Sequence, residues 1–183
     1  MNSQSTTALG FALLGLLHQA PASGYDLRKF FVSTPMKSFS DSPGAIYPAL
    51  RRLEKRGLIR SQVQARAGLR QRRLFRVTPA GHAELKRWAS LEITKTEIVS
   101  DLKELMLRFS FMDQVLGRDA SARFLKSLIA ELNAYVPTLR AYFDAMGDDI
   151  PLSGKLALES GILHYESTLQ WAKKALVLYD RAK

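Results

Sequence analysis

Arg51, Arg52 and Lys55 lie along one edge of a short amphipathic segment, and Arg66, Arg70, Arg72 and Arg73 cluster soon after it. Such a set holds no nucleophile and no proton shuttle. Its chemistry is the neutralisation of anions, and guanidinium groups in particular fork onto phosphate oxygens. The same segment opens with Ser42, Gly44, Ala45, Tyr47 and Pro48. Ser42 and Tyr47 carry hydroxyls that can hydrogen-bond, and Ala45 and Pro48 offer small apolar surfaces of the kind that pack on a thymine methyl. Free N–H groups at a helix start add a place for a phosphate. Tyr25 and Lys37, a little upstream, extend the set of candidate phosphate contacts.

The charge pattern of the whole chain agrees. Residues 1–90 hold 15 Lys and Arg against Asp26, Asp41, Glu54 and Glu84, whereas residues 91–183 hold 12 against 13 carboxylates. All of the net +10 therefore sits in the first half. A localised basic footprint suits a polyanion, and DNA is the commonest one in a cell. Other chemistries find little support. There is no cysteine, no glycine-rich phosphate loop, no G-x-S-x-G and no His/carboxylate cluster, so neither an enzyme nor a metal or cofactor site is expected. The three histidines, His18, His82 and His164, lack ligand spacing. Residues 9–17, the longest apolar run, are too short for a bilayer, and residues 1–7 lack the basic start of a signal peptide, so a cytoplasmic location is expected.

These side chains need a scaffold. Residues 7–18 read as a helix apolar on most sides, and residues 20–24 as a break. A second helix follows with Tyr25, Leu27, Phe30 and Phe31 expected inward, then a polar turn over 37–41. Ser42-Pro43 reads as an N-cap and first helical residue. Ile46, Leu50 and Leu53 form the buried stripe of that third helix, Gly57 its stop, and Pro48 is an awkward proline tolerable only near the start. Residues 58–64 and 72–78 read as strands joined by a loop over 65–71, with Arg66 and Arg70 at its tip. Neighbours on a strand alternate sides, so not all four arginines can face one partner. Thr78-Pro79 then starts a helix that buries Leu85 and Trp88.

That order of parts is a winged helix-turn-helix. The strings GAIYPALRRLEKRGLI and FRVTPAG make the resemblance specific: residues 8–90 resemble the PadR family of bacterial transcriptional regulators, and the second half resembles it only in helical, heptad-like character. The resemblance implies a sequence-specific DNA-binding regulator in which Tyr47 touches backbone or base. It also implies a response to small aromatic compounds such as phenolic acids. The alternative is a nucleoid-type binder with steep salt dependence and no sequence preference.

In the second half, residues 101–116 form an amphipathic helix ended by Gly117, and Asp119 is placed to cap the next. Leu125, Leu128, Leu132, Tyr135, Leu139, Tyr142 and Met146 make one heptad seam, with Pro137 expected to kink it. After a break at 147–153, Leu158, Ile162, Tyr165, Leu169, Ala172, Leu176 and Tyr179 make another. The fold class expected is mainly α with a small β-wing. Residues 1–90 form a DNA-binding winged helix-turn-helix, and residues 91–183 an all-α unit of long antiparallel helices that dimerises. Such a homodimer would straddle a palindromic operator. Trp88, Phe109, Tyr135, Tyr142, His164 and Trp171 are the candidate lining of an effector pocket, with plain core packing as the alternative.

Overall fold

Thr7 starts the first helix: its hydroxyl oxygen accepts the Gly10 N–H at 3.2 Å and caps α1 (Ala8–Gln19). The computed structural model describes residues 5–40, 44–66, 69–147 and 150–181, with only the backbone described over 64–66 and 69–71. It divides into two units, one ending at Ser90 and one beginning at Leu91. Among the described residues the architecture is mostly helical with one small antiparallel sheet, as the sequence reading expected, although the sheet has three strands rather than the two of the expected wing.

α1 is buried nearly all round, with Ala12, Leu13 and Leu14 fully inside and Phe11 stacked on Trp88 at 4.4 Å. Each such leucine or phenylalanine contributes about 1.5–3 kcal/mol by leaving water. The segment expected as a plain break contains a two-residue strand, β1 (Ala22–Ser23), which pairs Ala22 with Phe75 and Ser23 with Leu74. So short a strand has no period to read. Ser23 then caps α2 (Gly24–Ser33) in a reciprocal capping box with Asp26. On α2, Leu27 and Phe31 are buried, but Tyr25 and Phe30 are exposed, contrary to the expected inward set. Leu27 and Phe31 are four residues apart and fill the inner stripe of so short a helix. A 3-10 turn, Pro35–Phe39, holds exposed Lys37.

The third helix begins later than the sequence reading placed it. α3 is Ile46–Lys55, with Ala45 as an N-cap that makes no side-chain bond. Gly44 and Ala45 thus precede the helix, and Ser42 and Pro43 lie outside the described residues. The later start explains Pro48. It occupies the first turn, where donors have no intrahelical partner, and the first helical bond runs from Ala49 N–H to the Ala45 carbonyl at 3.1 Å. α3 ends in a Schellman motif: Gly57, at φ +71, donates to the Glu54 carbonyl and Leu58 to that of Leu53.

β2 (Ile59–Arg66) and β3 (Leu69–Val77) are longer than expected, so Arg66 and Arg70 belong to strand backbone rather than to a 65–71 loop. The sheet order is β1-β3-β2. Thr78 caps α4 (Pro79–Ala89), and its hydroxyl also donates to the Gly57 carbonyl at 2.6 Å, tying α4 to the end of α3.

Between α1 and α4, His18 and His82 meet Nδ1 to Nδ1 at 3.0 Å. One ring must accept, so both cannot be charged. Burial holds His82 below the usual imidazole range, and the charges of His18 and Lys86 push the same way. The unfolded chain then binds a proton that the folded one resists. The His82 contribution is fully present above about pH 6.5 and falls as the pH drops through that value. The carboxylates Asp26, Glu54 and Glu84, all shifted downward, lose theirs only in more acid solution. Urea unfolding followed by Trp88 fluorescence in a Trp171→Phe background is expected to show lower stability at pH 5.5 than at pH 7.5, a slope that His82→Gln flattens. An unchanged slope in that variant would refute the assignment.

The second unit opens with α5 (Lys95–Ser100), capped by Thr94 and Glu97 in a second capping box. α6 (Leu102–Leu116) ends at Gly117, φ +84. α7 (Arg118–Asp144) takes Gly117 as its N-cap, so Asp119 lies in the first turn and does not cap. α7 is continuous through Pro137. α8 (Leu152–Arg181) returns antiparallel: Arg118, at the start of α7, stacks over Tyr179 near the end of α8 at 5.4 Å. Arg140 forks onto Glu166 with both bonds at 2.9 Å, fixing the register of the pair. Leu125, Leu128 and Leu132 are fully buried with Leu105, Ile98 and Ala172. Tyr142, expected in the seam, is exposed near the end of α7 that leads into the connection to α8.

Candidate nucleic-acid interface

α3 buries Ile46, Ala49, Leu50 and Leu53, and this orients everything else on it. Tyr47, Arg51, Arg52 and Lys55 lie on the exposed side, Tyr47 being 43% exposed. Among the described residues none of the three cations meets a carboxylate. Arg56, just past the helix, is turned away by Glu84 at 3.5 Å and Thr6 at 2.6 Å.

Tyr47 leans on the start of α2 because residue 24 has no side chain. A Cβ at Gly24 would lie 2.6 Å from Tyr47 Cε1. The two elements and β3 enclose a cleft of about 560 Å³ whose floor is Leu50 and Phe75 and whose walls include Tyr25, Tyr47, Arg51 and Arg72. Sequence reasoning named Tyr25, Tyr47, Arg51 and Arg72 separately, and the fold brings them to one hollow. Lys37 is exposed on its own turn.

The wing arginines divide. Arg73 is fully engaged, with Glu54 at 2.7 Å, the Ser61 hydroxyl at 2.7 Å and the Phe75 ring 5.5 Å away. Among the described residues Arg72 pairs with Asp26 alone, in a long, exposed contact at 3.7 Å. The side chains of Arg66 and Arg70 fall outside the described set. Two further cations escaped the sequence reading. Arg60 and Arg76 are direct partners across β2 and β3 and both exposed. Like charges facing each other on a ladder are unfavourable unless an anion lies against them. Only the register reveals the pair.

Residues 13–87, which span α3, the wing and most of α1 and α4, match the sequence model of the transcriptional regulator PadR-like family. By these residues the first unit carries the sequence pattern of the PadR-like family. It is similar to the negative transcriptional regulator PadR of Bacillus subtilis, 26% identical over 180 residues, covering 94% of this chain and 98% of the relative. The crystal structure of Bacillus subtilis PadR in complex with operator DNA covers 93% of this chain and 98% of its own at 23% identity and a TM-score of 0.44. That of the same protein with p-coumaric acid covers 94% and 96% at 24% identity and a TM-score of 0.42. The PadR-like family is one of transcriptional regulators and not of enzymes. Among the described residues no helix is long and apolar enough to cross a membrane, and no group of three or more His, Asp and Glu could hold a metal ion.

The candidate aromatic residues fall in both units of the chain. Trp88 belongs to the core of the first unit, stacked on Phe11. In the second unit Phe109 meets Trp171 edge to face at 5.5 Å and also contacts Phe124 and Tyr179. Tyr135 meets Tyr165 at 5.2 Å, and exposed His164 lies 5.9 Å from that same ring. Tyr142 is exposed.

Proposed function

We propose that this chain is a dimeric transcriptional repressor of the cytoplasm that reads a palindromic operator and is released by a small aromatic effector. The observation that carries the reading is the exposed edge of α3 next to the Tyr25–Tyr47–Arg72 cleft, where Arg51, Arg52 and Lys55 form no ion pair with any carboxylate among the described residues. An unneutralised row of cations on a rigid helix fits a phosphate backbone, and Tyr47 at its first turn fits a groove contact. Arg66, Arg70 and Arg72 serve the flanking backbone, and Gly44, Ala45 and Pro48 the close approach of the helix start, together with Ser42. Residues 1–90 act as the DNA-binding domain and 91–183 as the dimerisation domain. The Bacillus subtilis relative is named a negative regulator, which favours repression. That protein has been solved with p-coumaric acid, the class of effector proposed here.

Dimerisation has its own support. The seam of α8 faces α7, yet Leu152, Leu156, Leu163, Trp171 and Leu178 stand exposed on a second stripe of the same helix. Apolar side chains repeating along a helix at near-heptad intervals call for a cover, and a two-fold copy is the commonest one.

Selection of bound duplexes from a random library is expected to return an inverted repeat with half-sites about one helical turn apart, or a multiple of it. Arg51→Ala is expected to lower the slope of log affinity against log salt by about 0.9. Recovery of no motif from the library, with equal affinity for all duplexes, would count against the reading.

A further inference from the structure

Glu54 is the one carboxylate on α3, whose other charges are all cationic. A negative group on a surface that meets phosphates opposes binding, so its position asks for a reason. One oxygen accepts the Ser61 hydroxyl of β2 at 2.6 Å, and the other accepts Arg73 Nη2 of β3 at 2.7 Å. Arg73 Nε closes the ring by donating to Ser61 Oγ at 2.7 Å. The triangle joins the helix and both wing strands, and it uses the proton of the Ser61 hydroxyl on one side and a lone pair on the other. The register places Ser61 opposite Phe75 and Val63 opposite Arg73, so Ser61, Arg73 and Phe75 share a sheet face while Arg72 lies on the other. Phe75 is buried and supports the guanidinium from below. The same bonds, Ser61 first and then Arg73, hold the Glu54 carboxyl below its ordinary range, so it stays ionised.

We propose that Glu54 is a positioning residue for DNA recognition, fixing the wing against α3 through Ser61 and Arg73, so that Arg73 braces the wing instead of contacting a phosphate. An exposed ion pair adds little to stability. Its effect appears in binding, because a wing held in place before contact does not have to be ordered at the moment of contact.

The inference rests on the DNA-binding reading above, and its test separates the two. The probes are the duplex that the wild-type chain enriches from a random library and a shuffled duplex of equal length and composition. Charge counting alone expects Glu54→Gln to tighten binding to both. The brace expects about tenfold weaker binding to the enriched duplex, with the shuffled one unchanged or tighter. Arg73→Gln is expected to match Glu54→Gln on the enriched duplex, to add nothing to it in the double variant, and to leave the salt slope unchanged. The exchange of Glu54→Arg with Arg73→Glu keeps net charge and restores the pair, and is expected to recover discrimination. Trp88 fluorescence in each variant confirms folding. A wild-type chain that cannot tell the duplexes apart overturns the DNA-binding reading, and the brace with it. A wild-type chain that discriminates, while Glu54→Gln tightens both duplexes or Arg73→Gln lowers the salt slope by about 0.9, overturns the brace alone.

Discussion

Glu97→Ala is expected to cost the second unit about 4 kcal/mol and to lower its unfolding midpoint by on the order of 15 °C. The reason is the division of labour between its two oxygens. Oε1 accepts Arg108 Nη2 at 3.1 Å, and Oε2 accepts the N–H of Thr94 at 3.0 Å and its hydroxyl at 3.1 Å. Arg108 is only 1% exposed; its Nη1 donates to the Leu91 carbonyl at 3.2 Å and its plane lies over Phe124 at 5.6 Å. Burial already pushes the guanidinium below its usual range, opposed by the charges of Glu97 and then Glu104. Removing Glu97 strands a buried cation, an effect of about 3 kcal/mol with Glu104 still acting through space, and undoes the α5 cap, about 1 kcal/mol more. The diagnosis makes its own control. Thr94→Ala should show only the cap loss. Adding Arg108→Met to Glu97→Ala should recover most of the remainder, because an apolar side chain needs no counter-charge. Thermal unfolding at 222 nm measures all three. If the double variant is no more stable than Glu97→Ala, the stranded charge is not the cause.

Gly81→Ala is expected to destabilise the first unit by about 3 kcal/mol, the upper range for an overpacked site. A Cβ there would fall 2.0 Å from the Leu58 carbonyl oxygen and 2.7 Å from Val77 Cγ1. Backbone cannot rotate aside as a side chain can. The Leu58 carbonyl also accepts the Thr78 N–H at 3.0 Å, and Leu58 is the residue that closes the Schellman end of α3. Moving α4 away therefore disturbs the junction between α3 and the wing, and under the proposed function DNA affinity should fall even in the fraction that folds. Gly57→Ala is the comparison. Its φ of +71 costs a side chain about 1–2 kcal/mol, with nothing within 4 Å to meet the new methyl. Urea unfolding by Trp88 fluorescence in the Trp171→Phe background ranks the two, and a smaller loss at Gly81 than at Gly57 would show that close approach is not what the Thr-Pro-Ala-Gly step provides.

The parts whose signal is local were legible from residues alone. Periodicity placed the stripe Ile46, Leu50, Leu53 inside and Arg51, Arg52 and Lys55 outside, because a helix obliges side chains four apart to share a face. Gly57, Gly117 and Thr78 marked element ends because caps act within a few residues. The heptad seams of α7 and α8 were legible for the same reason. Two capping boxes, Ser23 with Asp26 and Thr94 with Glu97, were present as spacings but went unread, and with them α5.

What needed the tertiary structure was every relation between residues far apart in the chain. No local rule pairs Arg73 with Glu54, opposes Arg60 to Arg76, or buries Arg108 against Leu91 and Glu97. A charge in a sequence is only a charge. Whether it faces solvent or a carboxylate depends on strand register and on which helix packs where, and both are set by the whole of each unit's core. The late start of α3 and the outward turn of Tyr25 belong to the same class. Composition and period determined that the first half is cationic and built on helices, while only packing decided which of its described cations stand beside a carboxylate and which do not.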